Sequence, residues 1–471
     1  MILKQFYLEC LSHASYLVGD ETTGRAVVVD PRRDISEYLA EAETKGLRIE
    51  AVINTHFHAD FVSGHLEFAA ATSAWIGFGE AAETDYPIRR LRHGDHIRLG
   101  QVDIEVLSTP GHTWESISLL LREHGDAAPT AVLTGDSLFI GDVGRPDLAN
   151  LGGGTNTDLA RAMYRTVHQV LLPLPDDVLV MPAHGAGSSC GKNLSSDLVS
   201  TIGEQRRTNP SVQPMPEDDF VALVTSGQPA IPNYFRTDAV LNKSIRMLFD
   251  RTRTVEPLSA SAVETELNSP RTVILDTRAP EDYADAHLKG SINVGLDGRF
   301  AETCGMVIDV GDRIVLVTAP GEETEAAMRL ARIGYDNVIG SADLAVDTDE
   351  PFADFTTPIE STHRVGVMEL DALLKDSRIT LLDVRNPGER AAGHIDGSFH
   401  IPLPELVERH GGLPNDKPIV VHCRSGWRSS VAASLLRSLG YTRTTDLVGG
   451  YIAWADERRQ TSSSCMGTSG D

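Results

Sequence analysis

One stretch of this chain occurs twice. Residues 273–291 read VILDTRAPEDYADAHLKGS, and residues 380–398 read TLLDVRNPGERAAGHIDGS. Asp276 and His287 stand eleven apart, as do Asp383 and His394, with Gly290 and Gly397 three residues further on. A strand, an Asp-x-Arg turn, a Pro-led helix start and a His-x-x-Gly-Ser turn recur in register. That predicts two copies of one small α/β domain. Each copy continues to a second apolar strand, DRIVLVT at 312–318 and KPIVVHC at 417–423, and then to an alanine-rich helix. The repeat takes up the second half of 471 residues, a length that suits about three domains at roughly 150 residues each.

Before the repeat, β-branched runs stop at polar clusters: AVVVD ending at Asp30, EAVIN at Asn54, VDIEVLSTP at Pro110, AVLTGD at Asp136 and DVLVMPAHG at Gly185. Strands ending this way deliver their polar residues to loops along one sheet edge, where open α/β sheets carry their sites. Residues 36–45 and 157–172 have helical apolar spacing, each opening at a Ser or Thr. From Asn209 the text turns Pro-rich and reads as a trailing helical extension and linker reaching about Thr254. The last residues, TSSSCMGTSGD, read as a low-complexity tail.

The strand-end residues form a ligand set. THFHADFVSGH from Thr55 holds His56, His58 and Asp60; TPGHT holds His112, LTGDS holds Asp136 and PAHG holds His184. Imidazoles and carboxylates gathered at neighbouring strand ends can converge on one metal. These motifs resemble the metallo-β-lactamase superfamily, which implies an αββα sandwich over residues 1–245 with metal at the sheet edge. Dinuclear hydrolases of that superfamily, such as glyoxalase II, have HxHxDH, where the last histidine serves a second zinc. Here Phe61 stands at that position. An aromatic ring cannot donate to a metal, so a mononuclear centre is favoured.

THFHADFVSGH, TPGHT, LTGDSLFIGDVGRPDL and PAHGAGSSCGK resemble more closely the persulfide dioxygenase, or sulfur dioxygenase, branch. The resemblance implies that His56, His112 and Asp136 ligate one Fe(II), with His58, Asp60 and His184 around them orienting ligands. It also implies that a thiol persulfide and O2 yield sulfite and the free thiol. Arg145 and Asp147 of GRPD are candidates for gripping the carboxylates and amine of a peptide-like thiol substrate. Cys190, six residues past His184, is a candidate to accept or pass sulfane sulfur, or else a buried small hydrophobe.

In the second copy of the repeat the strand PIVVHC delivers Cys423 into the loop CRSGWR, followed by the helix VAASLLRSLG. Backbone N–H groups curled around a sulfur at a helix N-terminus, with Arg424 and Arg428 beside it, favour the thiolate and would hold a persulfide anion. Residues 360–460 resemble the rhodanese sulfurtransferases, and the resemblance assigns Asp383, Arg385 and His394 to supporting the loop. The copy at 258–355 aligns Thr318 with Cys423 and Glu323 with Arg428. A hydroxyl cannot carry sulfur as a persulfide, so this copy reads as an inactive rhodanese-like domain. Residues 461–471 remain as a flexible tail.

Lys plus Arg number 42 and Asp plus Glu 67, giving a net charge of −25. That field repels nucleic-acid phosphate and anionic membrane surfaces, and no apolar run is long enough to span a bilayer. The expected partners are thus small molecules: thiol persulfide, O2, sulfite and thiosulfate, with no nucleic acid and no membrane. A cytoplasmic protein, compatible with a homo-oligomer, is expected. Five scattered cysteines without CxxC spacing supply neither a disulfide framework nor a zinc knuckle. Two other classes compete with the dioxygenase reading: a zinc-dependent glyoxalase II-like thioester hydrolase with an accessory sulfurtransferase domain, and a non-catalytic persulfide relay.

Overall fold

The computed structural model describes residues 1–125, 127–148, 155–250, 252–344 and 350–466. By its contacts the chain divides into two units, one of residues 1–252 with 331–334 and one of residues 253–330 with 335–471.

The first unit is built on two six-stranded sheets. One runs Ile2–Leu8, His13–Asp20, Arg25–Val29, Arg48–Ile53, Trp75–Gly79 and Arg89–Leu91. The other runs Ser200–Thr201, Leu179–Pro182, Ala131–Gly135, Ile117–Arg122, Asp103–Ser108 and His96–Arg98. Their alternating apolar residues meet face to face: Val27, Val29 and Ile53 from one sheet pack with Ile104, Leu119 and Leu133 from the other. Helix Ser36–Thr44 lays Tyr38 and Ala42 against the outer side of the first sheet, and helix Asn156–Arg165 lays Ala160 and Met163 against the outer side of the second. The architecture is the expected αββα sandwich, and buried apolar area of this extent, at about 25 cal/mol per Å2, is its main source of stability.

Local readings differ in two places. Helix Ser36–Thr44 follows Ile35, which offers no side-chain cap, whereas helix Asn156–Arg165 has a full capping box between Thr155 and Asp158. The helix expected to continue to Leu172 widens at Thr166–Leu171 into a π-helical turn, where Thr166 Oγ1 donates to the Pro110 carbonyl at 2.7 Å. The extension after Asn209 contains helices Glu217–Thr225 and Phe235–Leu241.

Close backbone approach constrains the loop beyond Asp136. A Cβ on Gly144 would stand 2.0 Å from the Asp136 carbonyl oxygen and 3.2 Å from the His112 Cβ. Backbone cannot yield as a flexible side chain does, so Gly144→Ala should lower the stability of the first unit by roughly 1–3 kcal/mol. Its thermal transition, compared with that of the unchanged chain, checks this.

The second unit holds two parallel sheets. One is ordered Pro257–Leu258, Val338–Ala342, Arg313–Val317, Thr272–Asp276, Ile292–Asn293; the other Phe399–His400, Thr380–Asp383, Ile419–His422, Thr444–Asp446. Asp276 pairs with Val317, and Asp383 with His422, so Thr318 and Cys423 each lie one residue past equivalent ladder positions. Arg278 and Arg385 each clamp their aspartate with two donors and reach on to the carbonyls of Ala286 and Gly393, both at 2.8 Å. Helix Gly450–Met466 runs into the stretch expected to be a tail, and residues 467–471 lie outside the described residues. Among the described residues no helix is long and apolar enough to cross a membrane.

Candidate functional site

Three strand ends bring His56, His112 and Asp136 together. His56 Nε2 lies 3.7 Å and His112 Nε2 3.5 Å from Asp136 Oδ2, the spacing of neighbouring donors around an ion held at about 2.1 Å. All three side chains are buried, and among the described residues neither His56 Nε2 nor Asp136 Oδ2 has a hydrogen-bond partner. Leaving such atoms unpaired costs on the order of 1–3 kcal/mol each, a cost that a bound cation removes. The far sides of the rings set their tautomers. The Arg145 carbonyl can only accept, so His112 Nδ1 donates to it at 2.8 Å. Thr55 Oγ1 spends its proton on Asp30 Oδ2 at 2.9 Å and accepts from His56 Nδ1 at 2.9 Å. Both Nε2 atoms thus keep lone pairs facing Asp136. Burial, with His58 alongside, pushes His56 well below the ordinary imidazole range, which keeps it neutral.

A second group adjoins the first. His58, Asp60 and His184 have potential ligand atoms within 4.8 Å of one another, as do Asp136, His184 and Cys190. His184 stands between two carboxylates, with Nδ1 2.7 Å from Asp136 Oδ1 and Nε2 2.7 Å from Asp60 Oδ2. Burial opposes its charge, but Asp136 and Asp60 outweigh burial and hold its pKa well above the usual value. A ring that is protonated on both nitrogens has no lone pair for a metal. His58 Nε2 approaches Asp30 Oδ1 at 2.9 Å. Phe61 is fully buried, its ring centroid 4.4 Å from that of His58 and 4.0 Å from that of His13.

Arg145 and Asp147, the two candidates for gripping a substrate, pair with each other. Arg145 Nε and Nη2 donate to the two Asp147 oxygens at 2.6 and 2.8 Å, and Nη1 donates to the Ser189 carbonyl at 3.0 Å. With its guanidinium buried and so engaged, Arg145 braces the loop whose carbonyl orients His112. Cys190 is buried beside Asp136 and His184. Burial, with the Asp60 and Asp136 charges adding to it, pushes its thiol well above the ordinary value, so it is uncharged at neutral pH.

In the second unit Cys423 Sγ is buried and accepts the Gly426 N–H at 3.2 Å. Gly426 takes φ 103°, and a Cβ there would come 3.1 Å from the Gly449 nitrogen, so the turn requires glycine. Helix Trp427–Ser438 starts at once, aiming its N-terminal dipole at the sulfur. The Cys423 and Arg424 carbonyls accept from Tyr451 and Ile452 at 2.8 and 3.0 Å, tying the loop to the helix behind it. Arg424 is exposed, and Arg428 forms a two-bond pair with Glu389. His394 is half-exposed, with Asp396 3.8 Å away. In the other copy Gly321 also has positive φ, 89°, but its N–H donates to Glu323 Oε1 at 3.1 Å. A carboxylate there uses the donor that faces sulfur in the cysteine copy.

Residues 8–184 match the Metallo-beta-lactamase superfamily, and residues 259–341 and 367–457 each match the Rhodanese-like domain. Over 228 residues the chain is 30% identical to the mitochondrial persulfide dioxygenase ETHE1 of Homo sapiens, an alignment covering 48% of this chain and 80% of that protein. A crystal structure of a metallo-beta-lactamase from Staphylococcus aureus is 34% identical, covers 73% of this chain and 98% of its own, and superposes with a TM-score of 0.66. The chain belongs to the metallo-β-lactamase superfamily and carries two rhodanese-like domains. A hydroxyacylglutathione hydrolase from Polaromonas sp. is 38% identical over 176 residues, 36% of this chain and 61% of that protein.

Three residues of this superfamily member's site escaped the sequence reading. Asn242, just past helix Phe235–Leu241, donates through Nδ2 to the His58 and Phe61 carbonyls, both at 2.8 Å, and accepts from Ser63 N–H at 2.8 Å. The trailing extension therefore pins the loop that carries His56, His58 and Asp60. Asp30, visible only as the end of an apolar run, accepts from Thr55 N–H at 2.7 Å and stands beside His58. His13 opens its strand fully buried, with neither ring nitrogen partnered among the described residues. A polar residue bounding an apolar run, Asp30 at its end and His13 at its start, was the available signal for these two.

Proposed function

We propose that this protein is a mononuclear non-heme iron persulfide dioxygenase, oxidising a low-molecular-weight thiol persulfide such as glutathione persulfide with O2 to sulfite and free thiol. Residues 1–245 form the dioxygenase domain, 258–355 an inactive rhodanese-like domain and 360–460 a rhodanese whose Cys423 exchanges sulfane sulfur with thiosulfate or persulfide. The observation that carries the reading is the buried His56, His112 and Asp136 set, in which His56 Nε2 and Asp136 Oδ2 have no hydrogen-bond partner among the described residues. Two imidazoles and one carboxylate suit Fe(II) with open positions. Iron bound there supplies the one-electron chemistry by which O2 reacts with a persulfide.

The chain's own residues prepare that site. The Arg145 carbonyl and Thr55 hold the two imidazoles in the tautomers that donate through Nε2. His184, charged between Asp60 and Asp136, orients the metal-facing carboxylate. Phe61 fills the space where a second-metal ligand would stand, and the buried surroundings exclude bulk water. At the other site, Gly426 N–H and the helix N-terminus stabilise sulfur anions on Cys423. Tethering both sites on one chain raises the effective concentration of one site's product at the other.

Metal analysis of protein loaded anaerobically with Fe(II), joined to oxygen and sulfite assays with glutathione persulfide, tests the proposal. One iron per chain, with oxygen uptake matched by sulfite, is the expected result. A firmly bound pair of zinc ions with thioester hydrolysis and no oxygen uptake would replace it with the glyoxalase II-like reading.

A further inference from the structure

The two rhodanese-like copies differ at a pair of positions that only the folded chain brings together. In the cysteine copy Arg428 donates through Nη1 and Nη2 to Glu389 Oε2 and Oε1 at 2.7 and 2.8 Å, a planar two-bond fork. Glu389 is itself fixed. Its Oε2 accepts the Asn386 N–H at 3.1 Å in a capping box at the start of helix Pro387–Ala391, and its carbonyl lies 3.4 Å from Arg385 Nη1. Arg385 in turn forks onto Asp383 and faces the Tyr451 ring at 4.2 Å, on the helix whose first turn holds the Cys423 carbonyl. The segment from Asp383 to Glu389 is therefore a bracket with one arm on the loop's arginine and the other on its floor. Burial works against the Glu389 charge, yet Arg428 holds its carboxyl below the usual range. Arg428 also lies close enough to Cys423 to sense a thiolate.

At the corresponding places the first copy has Asp282 and Glu323. Two acids cannot form this fork, and Glu323 turns onto Gly321 N–H instead. The acid–arginine fork thus accompanies the cysteine and is absent where threonine replaces it.

We propose that Glu389 is a positioning residue for sulfur transfer, setting the Arg428 guanidinium at the mouth of the Cys423 loop so that an anionic sulfur donor such as thiosulfate is received in line with Sγ. This rests on the reading of Cys423 as a sulfur-transfer nucleophile. Without the fork, Arg428 is a mobile cation that still attracts anions but no longer holds them in one place.

The test is a double-variant cycle on the full chain with Glu389→Gln, Arg428→Gln and both together, measuring thiosulfate-to-cyanide sulfur transfer and the rate of Cys423 alkylation by iodoacetamide. Glu389→Gln should cut kcat/KM for thiosulfate about 10- to 100-fold. Adding it to Arg428→Gln should cost nothing more, in transfer or in alkylation. Glu389→Asp keeps the charge on a shorter arm and should recover part of the loss. The thermal transition of each variant, compared with that of the unchanged chain, reports that it is folded. Wild-type kcat/KM in Glu389→Gln, or losses that multiply in the double variant, would overturn the proposal. Should the unchanged chain transfer no sulfur, the nucleophile reading fails, and the alkylation cycle alone still decides whether Glu389 acts through Arg428.

Discussion

Replacing His112 by alanine should abolish oxygen uptake with glutathione persulfide, by more than about 100-fold, while thiosulfate-to-cyanide sulfur transfer stays at its wild-type rate. Alanine removes one of three donors converging beside Asp136 Oδ2, and the neighbouring rings are already committed. His58 Nε2 lies against Asp30, and His184 is held between Asp60 and Asp136, so each of these rings is tied to carboxylates of its own. Iron content of the variant should therefore fall well below one per chain under loading that saturates the unchanged protein. The structural cost is smaller: the Arg145 carbonyl loses its imidazole donor, worth about 1–3 kcal/mol at a buried position. A variant that folds, binds less iron, consumes no oxygen and transfers sulfur normally meets the expectation. Parallel loss of both activities would show that the chain does not work as two separable sites.

How much was legible in the sequence followed from how locally each feature is encoded. The αββα sandwich and the parallel repeat were readable because alternating apolar residues and their polar terminators lie within single strands, and Asp276 and Asp383 repeat with their turns. His56, His112 and Asp136 were readable for the same reason, each lying in the short polar segment just past its strand. The Cys423 loop is shorter still. What stayed hidden was contributed from far along the chain: Asn242 reaches back to the His58 and Phe61 carbonyls, and Glu389 to Arg428. No spacing rule marks such pairs, since the fold alone sets their distance. Arg145 was legible only in part: its motif put it beside the ligands, but nothing in the spacing announced that Asp147, two residues on, pairs with it. The helix Gly450–Met466 overran the expected tail because serine-rich text is a weak statement about helix ends.

Replacing Cys423 by serine should reverse the His112 result, with sulfur transfer falling by at least about 1,000-fold and oxygen uptake unchanged. Transfer needs a thiolate that attacks the outer sulfur of thiosulfate, releases sulfite with the electrons of the broken S–S bond, and holds the sulfur as a persulfide until an acceptor such as cyanide removes it. A hydroxyl does none of this near neutral pH. The substitution is otherwise mild: serine fits the same turn, its oxygen can still accept the Gly426 N–H, and the Cys423 carbonyl keeps its Tyr451 donor. The chain already contains the comparison, since Thr318 holds the equivalent register one residue past the strand Arg313–Val317. There the donor that would face sulfur is taken by Glu323, in a loop with threonine at the place of the cysteine. If oxygen uptake from glutathione persulfide fell along with transfer in Cys423→Ser, sulfur would have to pass through Cys423 before reaching the His56, His112 and Asp136 centre. The rhodanese would then be an obligatory entrance to the oxidation, which the independence of the two variants is designed to distinguish.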